Sequence, residues 1–476
     1  MDIRRLEAFV FEKMAASRLP GLSLALVRND ELIHARGFGQ RDLKHGLPAT
    51  PSTLYCIGSV TKSFTALAIM RLAERGLLDP SDPVDRYLPF PFRPKGGIVR
   101  LEHLLAHTSG IPALAYSEAV IGHANGTGSR WLPISGPEDV LTFMDGAEDW
   151  EESSPGERWA YANEGYAMLG LIIERVSGKS YQDYLRDEIL VPLGMDRTFL
   201  ARTDVEAADD VAVPYVLPHD GPPVPGHYLY RLIRSEGGLI SSVLDLAGYL
   251  SMYLRYGALV DGRQLVSPES IAAMVRPRVE TPFRTAPELT GAGGGAGGGE
   301  AAQHYGFGLA SEQLLGRRLV GHGGSVLVST AHLAFLPEEG LGVAVLANGS
   351  GYPLAQLARA VLAIALGSEP GELPTIRLQD ELARLTGDYE TFKGTVRATV
   401  ERHGDFLKLR FPSRTNPDEV TLVPEGVSGG EARFFTLSEG RRLPVLFRRT
   451  DDGTELLYER HKFRRTGAGA AGQRFG

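Results

Sequence analysis

Leu54-Tyr55-Cys56-Ile57-Gly58-Ser59-Val60-Thr61-Lys62-Ser63-Phe64-Thr65-Ala66-Leu67-Ala68-Ile69-Met70-Arg71-Leu72 passes from an extended run into a nearly all-apolar one. The second part reads as a buried helix that stops at Gly76, and the change falls on Ser59. Positions three apart share a helix face, so the Lys62 amine can reach back over the turn to the Ser59 hydroxyl. An unassisted serine hydroxyl is a poor nucleophile and needs a neighbour that takes its proton. Lysine can do so if partial burial lowers its pKa, and Cys56, Ile57 and Phe64 supply apolar company. Free backbone N–H groups at the helix start would favour negative charge on a reacting carbonyl oxygen. The same residues also fit an N-cap serine followed by a solvated lysine, and only partners elsewhere in the chain separate the two.

Bulk composition narrows the field. With 476 residues, 43% of them hydrophobic, the chain can bury a large core and is expected to form more than one domain. A formal net charge of -8 gives no basic footprint for nucleic acid. The single cysteine, Cys56, excludes an intramolecular disulfide and reads as a small core residue rather than a second nucleophile. No apolar leader follows Met1, and no run approaches the roughly 20 apolar residues of a membrane span. The expected location is the cytoplasm, a periplasmic or secreted form that has lost a leader being the alternative. No cofactor and no metal is expected: His103 and His107 stand four apart without a convincing third ligand.

Along the chain, Leu6, Phe9, Val10 and Met14 have helical spacing. Residues 22–27 and 32–38 flank Arg28-Asn29-Asp30-Glu31 as a hairpin. A short helix over 101–111 closes in a polar turn, where His107 is expected to bond the turn's backbone rather than react. Residues 115–155, with Gly126, Gly128, Pro133 and Gly136, read as loop-rich and as one wall of a cleft. Tyr161 and Asn163 lie on an irregular segment just ahead of a helix whose inner face carries Tyr166, Leu169, Ile173 and Val176. Two apart, they can point the same way, and they offer a phenol and an amide. Gly237-Gly238 permits close backbone approach. Gly291 to Gly299 is low-complexity and reads as a flexible surface loop.

Strands are expected over 319–326, 331–336 and 341–347, the last two joined by a tight turn from Pro337 to Gly340, with a helix from Pro353 to Leu366. Residues 1–370 are therefore expected to form an α/β (α+β) sandwich, an antiparallel sheet flanked by helices. Gly371-Glu372-Leu373-Pro374 reads as a linker. Short β segments recur from Leu385, so 376–466 is expected to be a small all-β barrel domain, with 467–476 a disordered tail.

Ser59-x-x-Lys62, then Tyr161-x-Asn163, then His322-Gly323-Gly324 resembles the three-part signature of the penicillin-recognising serine hydrolases, with the third part in place of the β-lactamase Lys-Thr-Gly. Together with Leu104 to Gly110 and Gly237-Gly238-Leu239, the chain resembles the class C β-lactamase-like (peptidase S12) group over about residues 1 to 370. That group includes D-aminopeptidases, DD-carboxypeptidases and esterases. The tail, opening on Leu385-Thr386-Gly387-Asp388-Tyr389, resembles the lipocalin-like domain of some members.

The resemblance implies that Ser59 attacks a carbonyl and is acylated, while Lys62 and the Tyr161 oxygen share the proton work. Asn163 would hold a substrate amide or the Lys62 amine. His322, placed on an edge strand, would bond the Tyr161 oxygen or meet a substrate carboxylate. The backbone N–H groups of Ser59 and Ser325 would form an oxyanion hole, where losing one donor costs about 3 kcal/mol of barrier. Gly323 and Gly324 would leave bare backbone for a substrate pairing alongside. A histidine is mostly neutral at pH 7, unlike the lysine it replaces, which points away from β-lactam hydrolysis. The expected function is a peptidase or amidase on small D-amino-acid-containing peptides. An esterase on short acyl esters is the alternative, and a non-catalytic penicillin-binding or ligand-sensing protein the alternative from another class. The expected partners are a small molecule or short peptide, with no nucleic acid and no membrane span, and homo-oligomer formation left open.

Overall fold

Leu22 to Val27 and Leu341 to Ala347 are apolar at nearly every position rather than at every second one, as strands covered on both faces must be. In the computed structural model, strands Gly21–Arg28 and Leu341–Ala347 are buried along almost their whole length and pair antiparallel, with Leu22 opposite Ala347 and Leu26 opposite Val343. Residues 2–466 are described, apart from 91, 128–133, 137, 231, 285–301, 351–352, 413–417, 429 and 452.

These two strands sit inside a nine-stranded sheet. Its order is Leu47–Pro48, Glu31–Asp42, Gly21–Arg28, Leu341–Ala347, Thr330–Leu336, Arg317–Ser325, Ala310–Leu314, Ala302–Tyr305 and Val279–Arg284. Ala25, Val27, Ala344 and Leu346 enter the large core that also holds Phe64, Leu250 and Tyr253. The helix Leu354–Ala365 packs on strand Leu341–Ala347 and on helix Ile3–Ser17. The layered, antiparallel α/β arrangement is the one expected from the hairpins.

Helix Thr61–Glu74 is the buried helix of the sequence reading, with every residue from Thr61 to Met70 buried. Phe64 stacks on Tyr249 at 3.8 Å between ring centroids. Ser59 lies not in its first turn but in a 3-10 turn, Gly58–Val60, that feeds into it. In this α/β part of the chain, two expectations differ from what the structure contains. Residues 115–155 are not simply loop: they hold helices Tyr116–Ala124 and Asp139–Met144, anchored by the buried i,i+4 pairs Tyr116/Val120 and Val140/Met144. Gly128 and Pro133 lie outside the described residues. The strand Arg317–Ser325, which carries His322, is not an edge strand, because Thr330–Leu336 and Ala310–Leu314 flank it. Its pairing with Ala310–Leu314 nevertheless ends at Gly321 opposite Ala310, while His322 to Ser325 pair only with Leu333 to Thr330. The strand is internal, and its last four residues project beyond one neighbour.

The chain divides into two compact units, the first of residues 1–283 and 302–367, the second carrying Ser368 onward. The second holds a closed eight-stranded antiparallel barrel from Gly387–Glu390 to His461–Arg465. The stretch read as a linker enters a helix, Pro374–Leu385, since a proline at the first helical position starts a helix rather than breaking one. Leu378, Leu382 and Leu385 join Tyr389, Phe434, Phe447 and Phe463 in the barrel core. Gly291 to Gly299 and Gly467 to Gly476 lie outside the described residues. Among those described, no helix is long and apolar enough to cross a membrane.

Candidate active site

Gly58 holds the turn before the serine in the left-handed region, at φ 51°, where a side chain is strained. A Cβ on Gly58 would stand 2.7 Å from the Ser325 nitrogen, and one on Gly324 would stand 1.9 Å from the Ile57 carbonyl oxygen and 3.0 Å from the Ser59 nitrogen. Bare backbone on both segments is what lets the projecting end of strand Arg317–Ser325 lie against residues 57–59. The amide groups of residues 59 and 325 are thereby brought to neighbouring positions.

Lys62 is 0% exposed. Its Nζ donates to Ser59 Oγ at 2.9 Å, to Asn163 Oδ1 at 2.7 Å and to the Glu236 carbonyl oxygen at 2.6 Å. Burial pushes the amine down to about 7, against the upward pull of Glu236, Glu118 and Glu164. The two oxygens at Asn163 and Glu236 can only accept, so each must take an N–H. When the amine is neutral, its lone pair is left facing the Ser59 hydroxyl, which is the arrangement a proton acceptor needs. Asn163 opens helix Asn163–Ser177, and its Nδ2 donates to Glu118 Oε1 at 3.0 Å, which fixes which way the amide points.

Tyr161 sits above this cluster, with Lys62 Nζ 4.8 Å from its ring centroid. Burial raises its phenol well above the usual range, while a hydrogen bond with the Ser59 side chain pulls the other way. The phenol is therefore protonated at neutral pH. His107 holds the segment in place, its carbonyl accepting from the Ala160 N–H at 2.8 Å and its Nδ1 from the Ala162 N–H at 3.1 Å. The imidazole also lies 4.2 Å from the Tyr161 ring. His107 thus bonds backbone, as expected, but that of the Tyr161 segment rather than only its own turn. Burial, Lys62 and His322 hold it well below the ordinary histidine range, so its proton sits on Nε2, which has no hydrogen-bond partner among the described residues.

His322 is 8% exposed, and neither of its ring nitrogens meets the Tyr161 oxygen. Nδ1 donates to the Gly323 carbonyl at 2.6 Å, so Nε2 accepts from the Tyr305 hydroxyl at 2.8 Å. Burial, reinforced by Lys62, lowers it to about 4. A neutral ring with both nitrogens engaged has no charge to offer a carboxylate. The Tyr161 and His322 ring centroids stand 6.2 Å apart, and both rings line the cleft with Ser59.

Ser59, Tyr161, Asn163, His322, Gly323, Gly324 and Ser325 all line one cleft of about 1140 Å³, with Lys62 beneath it. Glu118, Glu236 and Tyr305 also stand in this cluster, though the sequence reading passed over them. Glu236 precedes Gly237-Gly238 and is buried with Oε1 unpartnered among the described residues, and burial raises its carboxyl above the usual range. A carboxylate beside a glycine pair was the one local signal. Glu118 and Tyr305 carry none, since their partners are distant in sequence. Cys56 is buried and its thiol pushed up to about 11 by burial, as suits an inert core residue.

A beta-lactamase family model matches residues 6–366, and a Pab87 octamerisation domain model matches residues 370–464. The octameric penicillin-binding protein homologue from Pyrococcus abyssi is 41% identical, with a TM-score of 0.89, covering 97% of this chain and 100% of that one. Protein flp of Staphylococcus aureus (strain MW2) is 30% identical over 264 residues, 54% of this chain and 51% of that protein. The chain spans about half the length of the curated relatives it matches. The D-amino acid amidase from Ochrobactrum anthropi SV3 shares the fold, at 21% identity and a TM-score of 0.58 over 80% of this chain and 99% of that one.

Proposed function

The chain belongs to the beta-lactamase family, and from that premise we propose that it is an amidase or peptidase working through an acyl-enzyme on Ser59, with small D-amino-acid-containing peptides as substrates. The observation that carries the reading is the seating of Lys62: buried, pushed down to about 7, and tied to two obligate acceptors so that its free position faces Ser59 Oγ.

Lys62 takes the Ser59 proton as Oγ adds to the substrate carbonyl, and the oxyanion is met by the N–H groups of residues 59 and 325. The C–N bond breaks, and the proton reaches the departing nitrogen by way of the Tyr161 phenol. Water then adds to the ester, its proton following the reverse path. The acid leaves with the water hydroxyl, and Ser59 regains its hydrogen.

Charge favours a substrate with a free amine. Among the described residues lining the cleft there is no lysine or arginine, while Glu118, Glu236 and Glu312 are acidic. His322 is neutral, so it offers no cation to a β-lactam or a terminal carboxylate. Glu118, beside Asn163, suits the ammonium of an amino-terminal residue. The D-amino acid amidase that shares the fold supports the same choice. The match of residues 370–464 to an octamerisation domain, with the likeness to an octameric homologue, supports assembly into a homo-octamer.

The test is to treat the protein with a fluorophosphonate and with a fluorescent penicillin and to locate the adduct by mass spectrometry. D-aminoacyl p-nitroanilides and p-nitrophenyl esters are then assayed side by side. Labelling at Ser59 with turnover of D-aminoacyl amides is expected. Labelling elsewhere, or none with either reagent, sinks the mechanism, and turnover of esters alone replaces amidase by esterase.

A further inference from the structure

We propose that Trp159, Phe283 and Tyr305 form the subsite for the amine half of the substrate, selecting amides whose departing amine carries an aromatic or bulky apolar group. The proposal rests on the amidase reading above and assigns that reading its leaving-group class.

The three side chains come from separate places: Trp159 precedes helix Asn163–Ser177, Phe283 lies on strand Val279–Arg284, and Tyr305 ends strand Ala302–Tyr305. Their rings meet in the cleft wall, Trp159 edge-on to Phe283 at 5.9 Å and 6.3 Å from Tyr305. Aromatic clusters of this kind ordinarily serve a core, where every ring is buried. Here Phe283 is 61% exposed, so the shelf has an open apolar face, and covering that face with a ligand ring removes apolar area from water.

Position says which half of the substrate lies there. The phenol that returns the proton to the departing nitrogen must stand on the leaving-group side of Ser59. Tyr161 is that phenol, and its ring is 6.0 Å from Trp159 and 6.5 Å from Tyr305. A separate part of the cleft lining is polar, with Asn163 donating to Glu118. The polar pair would therefore receive a cationic acyl residue, and the aromatic shelf beside Tyr161 an apolar amine.

The experiment compares D-alanyl benzylamide with D-alanyl methylamide, whose amines are both aliphatic and differ by the ring. In the full-length protein kcat/KM should favour the benzylamide by about tenfold or more, the usual worth of one apolar group in a fitted pocket. In Phe283→Ala and in Trp159→Leu the ratio of the two values should fall at least threefold. Phe283 is exposed, so its alanine variant is expected to fold and decides the matter if the tryptophan variant does not. A wild-type ratio near one, or an unchanged ratio in Phe283→Ala, overturns the proposal. Fluorophosphonate labelling of Ser59 is measured on the same samples. Labelling with turnover but without the ratio defeats the subsite alone, whereas neither labelling nor turnover defeats the amidase reading and the subsite with it.

Discussion

Replacing Lys62 by arginine keeps the charge and removes the base. At about 7, roughly half of the lysine is neutral at pH 7, and below that the neutral fraction falls tenfold per pH unit. An arginine, with a pKa above about 12, is neutral in fewer than about one molecule in 10⁵. A positioned general base is worth about 10²–10⁴ in rate, so Lys62→Arg should lose at least about a hundredfold in kcat/KM. In the wild type, kcat/KM should climb about tenfold per pH unit from pH 5 and level off near 7. Stability gives an independent readout. The folded value lies below the ordinary 10.5, so between about 7 and 10.5 the unfolded chain binds more protons than the folded one. The penalty is complete below that window and is relieved as pH rises through it, by up to about 1.4 kcal/mol per pH unit. Thermal midpoints of wild type should therefore rise between pH 7 and 9.5 relative to Lys62→Met, which has no amine to titrate. Initial rates from pH 5 to 9 and the paired melting curves supply both tests. A kcat/KM flat from pH 5 to 8, or an arginine variant with a tenth of wild-type activity, would refute the reasoning.

Gly324→Ala sets a methyl 1.9 Å from a backbone carbonyl oxygen that cannot swing away, and should cost at least about a hundredfold in kcat together with a lower melting point. His107→Ala removes the acceptor of the Ala162 N–H and a ring packed against Tyr161. A loss of about 2 kcal/mol is expected, with kcat reduced more than KM, and Tm and steady-state kinetics check it. Tyr305→Phe leaves His322 Nε2 without its donor and should destabilise by about 1–3 kcal/mol, read from thermal unfolding. Light scattering on the full chain should give a mass near eight times 51.5 kDa, and a monomer would contradict the octamer proposal.

Much of this architecture was legible in the chain because its signals are local. Ser59 and Lys62 lie within one turn, Tyr161 and Asn163 at the start of one helix, and His322 to Ser325 on one strand end. The structure brings them together at one cleft, with Lys62 buried beneath Ser59. Glu118 and Tyr305 were not legible, because each owes its place to partners distant in sequence, Asn163 for one and His322 for the other. The helix Pro374–Leu385 was hidden for a different reason. Its proline and the preceding Gly371 drew attention as breakers, while Leu378, Leu382 and Leu385 already showed the helical spacing that its packing uses. The resemblance implies an edge strand for His322, with bare backbone at Gly323 and Gly324 for a substrate alongside it. The sheet supplies that by letting an internal strand outrun its neighbour, a matter of register that no single strand encodes.

That overhang also acts as a ruler. Beyond Gly321 the unpaired side of the strand runs only to Ser325, a length of about 13 Å at the usual rise per residue. A chain laid along it can pair two or three residues before the ladder ends at residues 57–59, against which Gly324 is packed. On the amidase reading, a folded protein's loop or an intruding strand would find too short a rail to hold it, whereas a dipeptide amide would fit it. On that reading, substrate length would be set by backbone alone, leaving the side chains free to choose charge and ring.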